Sequence, residues 1–210
     1  MTSILDLPTG PLADAVLRTV RSSESASIAN HSVRSFLFAQ LLAEHERAMD
    51  DAAYDRDLLF SATAMHDLGA GDLAHGHARF EVEGADLAAA LLTEHGVDAG
   101  DVDRVWEAIA LHTSDGIAER RGLLAYLTCQ GIGTDFGRNA ELVAGREKEI
   151  HDAYPRLTMV RSLTDAIVER AARSAAAAPR YSIGGEFLRE RRADGVTTLE
   201  RAAASCPWGE

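Results

Sequence analysis

Residues 58–69 read Leu-Leu-Phe-Ser-Ala-Thr-Ala-Met-His-Asp-Leu-Gly, an apolar run that ends in an imidazole and a carboxylate. Leu58, Ala62 and His66 recur at helical spacing, so the run predicts a helix whose imidazole points inward. An adjacent imidazole and carboxylate at the end of a buried helix need a partner that compensates their polar atoms. A divalent cation accepts both kinds of ligand, which makes His66 and Asp67 candidate metal ligands.

Composition narrows the class of protein. Ala, Leu, Arg and Glu abound in the 210 residues, whereas β-branched and aromatic residues are sparse, which favours an all-α fold. The net charge of −12 argues against nucleic acid or an anionic membrane as a partner. No apolar run reaches membrane-spanning length, the N-terminus lacks a signal-peptide pattern, and the two cysteines lack metal-type spacing. We therefore expect a cytoplasmic protein with a small-molecule substrate, and the sequence leaves open whether it forms a homo-oligomer.

Apolar residues at helical spacing predict a single-domain helical bundle. We expect residues 1–25 to form a lead-in and first helix, residues 26–175 the main domain, and residues 176–210 a C-terminal helix and tail packed on that domain. The predicted helices cover residues 11–21, 26–49, Asp55 to near Gly69, 82–95, 101–112 and 119–135, one before Pro155, one around 160–171, and a short one at 186–192.

Four polar groups fall on the inward faces of three predicted helices, namely His31, His66 with Asp67, and Asp135. Two imidazoles and two carboxylates suit one divalent transition metal and leave positions open for water. Taken singly, an inward histidine is more often a hydrogen-bonded core residue, and a lone aspartate can be a helix cap. Their joint occurrence favours a metal site.

The pattern His31…His66-Asp67…Asp135 resembles the HD-domain superfamily of helical metal-dependent enzymes, in which the four matching positions bind the metal. The resemblance extends to the cyanamide-hydratase-like branch, which implies an HD-type bundle with a buried metal site and one zinc ion. The ligand set itself would also accept manganese, iron or cobalt. The segments that carry the narrower resemblance are Asn30–Arg34, Arg79–Ala85, Ala108–Thr113, Gly133–Arg138 and Ala153–Arg156.

The resemblance also suggests catalytic roles. Asp67 is a candidate both for binding the metal and for taking the proton of the attacking water, and His112 or Glu81 is a candidate proton donor. The alternative for His112 is a hydrogen-bonded core histidine, and that for Glu81 is a buried ion pair with the preceding arginine. The candidate substrate-binding residues are Asn30, Arg34, Arg79 and Thr113.

Our main functional hypothesis is a metal-dependent hydratase, which is a lyase, or a hydrolase. The metal would lower the pKa of its bound water, and the hydroxide would attack a small polar substrate such as cyanamide or a similar nitrile. Many phosphate-cleaving HD proteins carry a lysine after the glycine that follows the His-Asp pair, whereas here Ala70 follows Gly69, although Arg34, Arg79 or Arg138 could substitute. The alternatives are a phosphohydrolase for nucleotides or other phosphate monoesters, and a non-catalytic metal-containing binding module.

The segment from Gly69 to Phe80 is polar and rich in glycine, and it follows the ligand pair directly. We expect a surface loop that gates access to the site. Two histidines in this loop, His75 and His77, are predicted to be solvated. His45 and His151 are predicted to lie on the surface.

Overall fold

The computed structural model describes residues 3–209, and this part of the chain contains α-helices, short 3₁₀ turns and loops but no strand. The predicted all-α fold is confirmed. None of the described helices is long and apolar enough to cross a membrane. The α-helices are α1 (Pro11–Ser23), α2 (Ala26–His45), α3 (Arg56–Met65), α4 (Phe80–Glu94), α5 (Ala99–Leu111), α6 (Leu123–Asp135), α7 (Glu147–Ala153), α8 (Met159–Ala171), α9 (Ile183–Asp194) and α10 (Thr198–Ala203).

Local chemistry sets several helix limits. Asp55 accepts hydrogen bonds from two backbone N–H groups in the first turn of α3, as the predicted cap requires. Helix α6 begins at Leu123 rather than residue 119, because Gly122 adopts φ 94° and interrupts the helical backbone. Helix α10 has no counterpart among the predicted helices, although Thr197 and Glu200 form a capping box at its start.

Helices α2 and α6 pack together at the centre of the larger apolar core. Their backbones approach closely because Gly131 of α6 has no side chain. A Cβ atom there would lie 2.5 Å from the carbonyl oxygen of Ser35 and 2.6 Å from the Cβ of Ala39. This contact brings His31 of α2 to hydrogen-bonding distance of Asp135 of α6.

A smaller apolar core joins the C-terminal helices to the rest of the bundle. Phe187 of α9 and Ala203 of α10 lie in it beside Leu163 and Ile167 of α8 and Phe80 of α4. Residues on both sides of position 175 therefore share one core. The domain limits at residues 25 and 175 stay predictions.

Candidate metal centre

The end of α3 fixes the orientation of the His66 imidazole. The helix stops at Met65, and the Nδ1 atom of His66 lies 2.8 Å from the carbonyl oxygen of Thr63. A carbonyl can only accept a hydrogen bond, so Nδ1 carries the hydrogen. In the neutral ring the Nε2 atom is therefore an acceptor, and it faces Asp67.

The second imidazole is oriented by Asp135 across the contact between α2 and α6. Nδ1 of His31 lies 2.6 Å from the Oδ2 atom of this carboxylate. Because an ionised carboxylate can only accept, the hydrogen sits on Nδ1 and the Nε2 atom again carries a lone pair. Burial lowers the pKa of His31 despite the neighbouring carboxylates, which also favours the neutral ring.

Three acceptors thus converge on one buried point. The Oδ2 atom of Asp67 lies 3.1 Å from Nε2 of His66 and 3.7 Å from Nε2 of His31, and the ligand atoms of all three side chains lie within 4.8 Å of one another. Among the described residues, Nε2 of His31 and Oδ2 of Asp67 find no hydrogen-bond partner. Orphaned buried acceptors are costly, and a cation that they share would compensate all three. The donor set therefore fits a divalent metal.

A proton is the alternative to a cation at this point. A proton on Nε2 of His66 would bond to Oδ2 of Asp67, which lies 3.1 Å away. Burial by itself lowers the pKa of His66, but the charge of Asp67 and its hydrogen bond to the protonated ring outweigh burial and raise the pKa above its usual value. The same interaction lowers the pKa of Asp67 to about 2, although burial opposes that shift. A metal must therefore displace a proton from His66, as is usual for imidazole ligands.

The fourth predicted ligand, Asp135, has its carboxylate occupied by other side chains. Arg34 donates from Nε to Oδ1 at 2.7 Å and from Nη2 to Oδ2 at 2.6 Å, and Arg156 donates to Oδ1 at 3.3 Å. Burial alone would raise the pKa of Asp135, but the Arg34 charge and the bonds from its partners hold it well below its usual range. Asp135 is absent from the cluster of converging ligand atoms that His31 and the pair at the end of α3 form.

Sequence reasoning missed two neighbours of Asp135. Arg156 donates to both the side chain and the backbone carbonyl of Asp135, and the sequence signals it only as part of the segment Ala153–Arg156 that carries the family resemblance. His151 was predicted to lie on the surface, whereas the structure places it half-buried, with 18% of its side chain exposed. Its ring packs against Phe38 and Trp208, and its Nε2 atom lies 3.6 Å from Oδ1 of Asp135. The segment after α6 brings the ring to the edge of the core, and no periodic pattern in the sequence signals this placement.

His112 lies beside the three acceptors at the C-terminal end of α5. Its ring centroid is 4.9 Å from that of His66, and its Nδ1 atom lies 2.6 Å from the carbonyl oxygen of Ile109. Nδ1 is therefore the donor, which leaves Nε2 as an acceptor in the neutral ring. Burial lowers the pKa of His112 to about 4, so the ring is neutral near pH 7.

Glu81 is fully buried at the start of α4 and is bonded on two sides. Arg79 donates to its Oε1 atom at 2.7 Å, and the Thr113 hydroxyl donates to the same atom at 2.8 Å. Burial would raise the pKa of Glu81, but these bonds and the nearby His112 lower it below its usual value. Because the Thr113 hydroxyl donates its hydrogen to Glu81, its oxygen can act only as a hydrogen-bond acceptor toward other groups.

A cavity of about 360 Å³ opens beside the converging acceptors. Its polar end contains His31, His66, Asp67, His112 and Thr113. Arg138, the only cation among the described residues that line it, is held by two hydrogen bonds of 3.0 and 2.9 Å to Asp115. The remaining walls are largely apolar and consist of Phe80, Cys129, Ile132, Gly133, Phe136, Leu163, Ile167, Ile183, Phe187 and Leu199.

Three of the four predicted substrate-binding residues do not line this cavity. Asn30 donates to the carbonyl of Pro155, Arg34 to Asp135, and Arg79 to Glu81. Thr113 does line the cavity. The catalytic and substrate-binding roles stay predictions.

The predicted gate loop is anchored elsewhere. Of the segment Gly69 to Phe80, only Phe80 lines the cavity, so the prediction of a gate is wrong for the residues before it. The loop is held against α8 and the turn that follows it, because Arg170 bonds to Asp72 and Ser174 donates to the carbonyl of Gly76. His75 and His77 are exposed, as predicted.

Comparison with known families agrees with this geometry. The HD domain family matches residues 28–175, which is more than half of the chain, and the chain belongs to that family. HD domains bind divalent metals and are typically metal-dependent hydrolases, and the group formed by His31, His66 and Asp67 could hold such an ion. A comparison with curated proteins gave no match.

Proposed function

We propose that this protein is a metal-dependent enzyme that adds water to an uncharged electrophilic substrate, with hydration of a nitrile of the cyanamide type as the leading reaction. The observation that carries the proposal is the convergence of three buried acceptors at one end of a cavity whose lining cation is already paired. A phosphate ester would need free cations to balance the charge on its non-bridging oxygens. Family membership supports the metal-dependent class, and the pairing of Arg138 with Asp115 supports an uncharged substrate.

In this proposal His31, His66 and Asp67 hold the cation, for which zinc is the leading candidate, with manganese, iron and cobalt as alternatives. When bound, the cation supplies a Lewis acid and an activated water. Asp135 acts through His31, because its hydrogen bond to Nδ1 keeps Nε2 directed at the site. Carboxylates that orient a ligating histidine in this way commonly strengthen metal binding.

The geometry favours proton acceptance at His112 over the donor role predicted from the sequence. Its Nδ1–H group already donates a hydrogen bond to the carbonyl of Ile109. The Nε2 lone pair is therefore the group of the ring that can accept a proton in the cavity. We assign His112 and Asp67 as the candidate groups that accept the proton of the attacking water. Protonation of the substrate nitrogen then uses the proton that they have taken up.

Thr113 and Glu81 form the second part of the polar end. Because the Thr113 hydroxyl donates to Glu81, its oxygen can accept a hydrogen bond from a substrate N–H group. An amino or amide nitrogen next to the electrophilic carbon fits this acceptor. Glu81 does not line the cavity, so we assign it to holding Thr113 in place.

The test loads the purified protein with zinc and assays cyanamide for urea, small nitriles for their amides, and nucleotides for released phosphate. We expect hydration products without phosphate. Asp67→Asn should abolish hydration, whereas Asp57→Asn, at an exposed position near the start of α3, should retain it. Phosphate release without hydration would favour the phosphohydrolase. Absence of activity of the zinc-loaded protein in all three assays would favour a non-catalytic binding module.

A further inference from the structure

We propose that α9 and α10 form the specificity wall of the cavity and that this wall selects a substrate with an uncharged apolar body. Both helices lie beyond residue 175, where the match to the HD domain ends. The inference rests on the proposed function, which concerns the reacting end of the substrate. It adds which kind of group the remainder of the substrate carries.

The wall consists of Ile183 and Phe187 from α9 and Leu199 from α10. Leu163 and Ile167 of α8 continue the same apolar surface. Ligand pockets are typically lined mainly by apolar side chains with a few placed polar groups. This cavity has that composition, with the paired Asp115 and Arg138 lining it in addition to the polar groups beside the metal ligands. The polar end faces the reacting group, which leaves the apolar wall for the remainder of the substrate.

The size of the cavity points in the same direction. At about 360 Å³ it lies within the range of roughly 300–1,000 Å³ that is usual for pockets binding drug-sized ligands. Cyanamide, whose skeleton is one carbon and two nitrogens, would fill only the polar end. A nitrile or amide attached to an aliphatic or aromatic group would cover the wall as well.

The wall is held in a fixed position. Arg191 of α9 donates to Asp165 of α8 at 2.6 Å and to Glu200 of α10 at 3.0 Å, so one guanidinium joins all three helices. Glu200 also closes the capping box of α10 with Thr197. A preformed surface binds a ligand without the cost of ordering it.

The electrostatics of the cavity favour an uncharged ligand. Arg138 is neutralised by Asp115, and the polar end presents carboxylate and imidazole acceptors. An anionic group placed against the apolar wall would lose hydration without gaining a free cation.

The first experiment compares benzohydroxamic acid with acetohydroxamic acid, which share a metal-binding head and differ in the apolar body. Calorimetry on the zinc-loaded protein should give at least about tenfold tighter binding of the benzo compound, the order expected for burying a phenyl group. Leu199→Ala, at a half-buried position, should reduce this ratio several-fold. Leu188→Ala is the matched control, because Leu188 is similarly apolar and lies on α9 but does not line the cavity.

The second experiment does not depend on the metal. Saturation-transfer NMR on the chelator-treated protein should detect benzamide, weaker transfer to benzoate, and loss of the benzamide signal in Leu199→Ala and Ile183→Ala. Equal affinities for the two hydroxamic acids, or a ratio unchanged in Leu199→Ala, would overturn the proposal. Failure of zinc to bind would instead refute the proposed function, and in that case the benzamide signal and its loss in the variants still decide whether the wall binds an apolar body.

Discussion

At the scale of single residues, the site depends on which atom of each side chain is free. The Nδ1–H groups of His66 and His112 donate hydrogen bonds to backbone carbonyls, and that of His31 donates to Asp135. The three Nε2 lone pairs are therefore left for the site. Asp135 can remain an ionised acceptor for His31 in the core because Arg34 and Arg156 balance its charge.

Arg34→Met tests that balance. The guanidinium is completely buried, and its loss leaves Asp135 with an uncompensated part of its charge. We expect the free energy of unfolding to fall by about 3–5 kcal/mol, as is usual when one partner of a buried ion pair is removed. Arg104→Met removes an exposed pair with Asp101 and should cost less than about 1 kcal/mol. Urea denaturation measures the loss of stability in both variants. Equal small losses would contradict the role of Arg34 in balancing the charge of Asp135.

At the scale of helices, the spacing between α2 and α6 sets the distance from His31 to Asp135. Gly131→Ala adds a methyl group where backbone atoms already stand at contact. We expect a loss of about 1–3 kcal/mol in stability from overpacking, together with weaker metal binding. Gly184→Ala on α9 is the control, since a Cβ there meets only ordinary contacts of 3.6 Å or more. Denaturation measures the stability of both variants, and zinc titration measures their metal affinity. A Gly131→Ala protein with wild-type stability and zinc affinity would refute the role of this close contact between α2 and α6.

One carboxylate ties the loop before α4 to that helix, in addition to the contacts of the loop with α8. Glu83 accepts hydrogen bonds from the backbone N–H groups of Gly76, His77 and Ala78. Burial by itself would raise the pKa of Glu83, but together these bonds outweigh burial and lower the pKa below its usual value. A carboxyl group whose pKa is lowered by folding stabilises the fold above its unfolded pKa of about 4.3 and loses that effect as the pH falls through the folded value.

We therefore expect Glu83→Gln to weaken hydrogen-exchange protection of the Gly76–Ala78 amides at pH 7. Acidification to below the folded pKa should remove the difference between the variant and the wild type. Glu94→Gln, at an exposed position on the same helix, should leave protection unchanged. Protection that is the same in Glu83→Gln and the wild type at pH 7 would show that the carboxylate does not hold the loop.

At the scale of the whole molecule, metal binding and folding should be coupled. The three acceptors come from α2 and the end of α3, so they meet only in the folded chain. A ligand that binds the folded state alone stabilises it, by about 2.7 kcal/mol at a concentration one hundred times its dissociation constant.

Zinc should therefore raise the Tm of the wild type, and a chelator should reverse the change. His66→Ala should bind no zinc and show no zinc-dependent Tm, whereas the exposed His95→Ala should behave as the wild type. Thermal melts with metal analysis measure both effects. Equal zinc content in His66→Ala and the wild type would refute the ligand assignment.

The sequence by itself determined the helical fold, the order His31…His66-Asp67…Asp135 and the family. These features rest on local signals, since periodicity and caps act within a few residues of the chain. The Asp55 cap and the inward imidazole of His66 could be predicted for that reason.

Only the tertiary structure decided how the polar groups share their hydrogens and what surrounds the cavity. Asp135 meets His31 and Arg34 across more than one hundred positions, and each histidine ring is turned by the partner that takes its Nδ1 hydrogen. The wall from α9 and α10 likewise depends on distant contacts, since both helices pack into the smaller apolar core beside α8 and Arg191 bonds to Asp165 and Glu200. Contacts between residues distant in sequence leave no periodic signal in the chain, so neither the paired cation nor the apolar wall could be predicted from it.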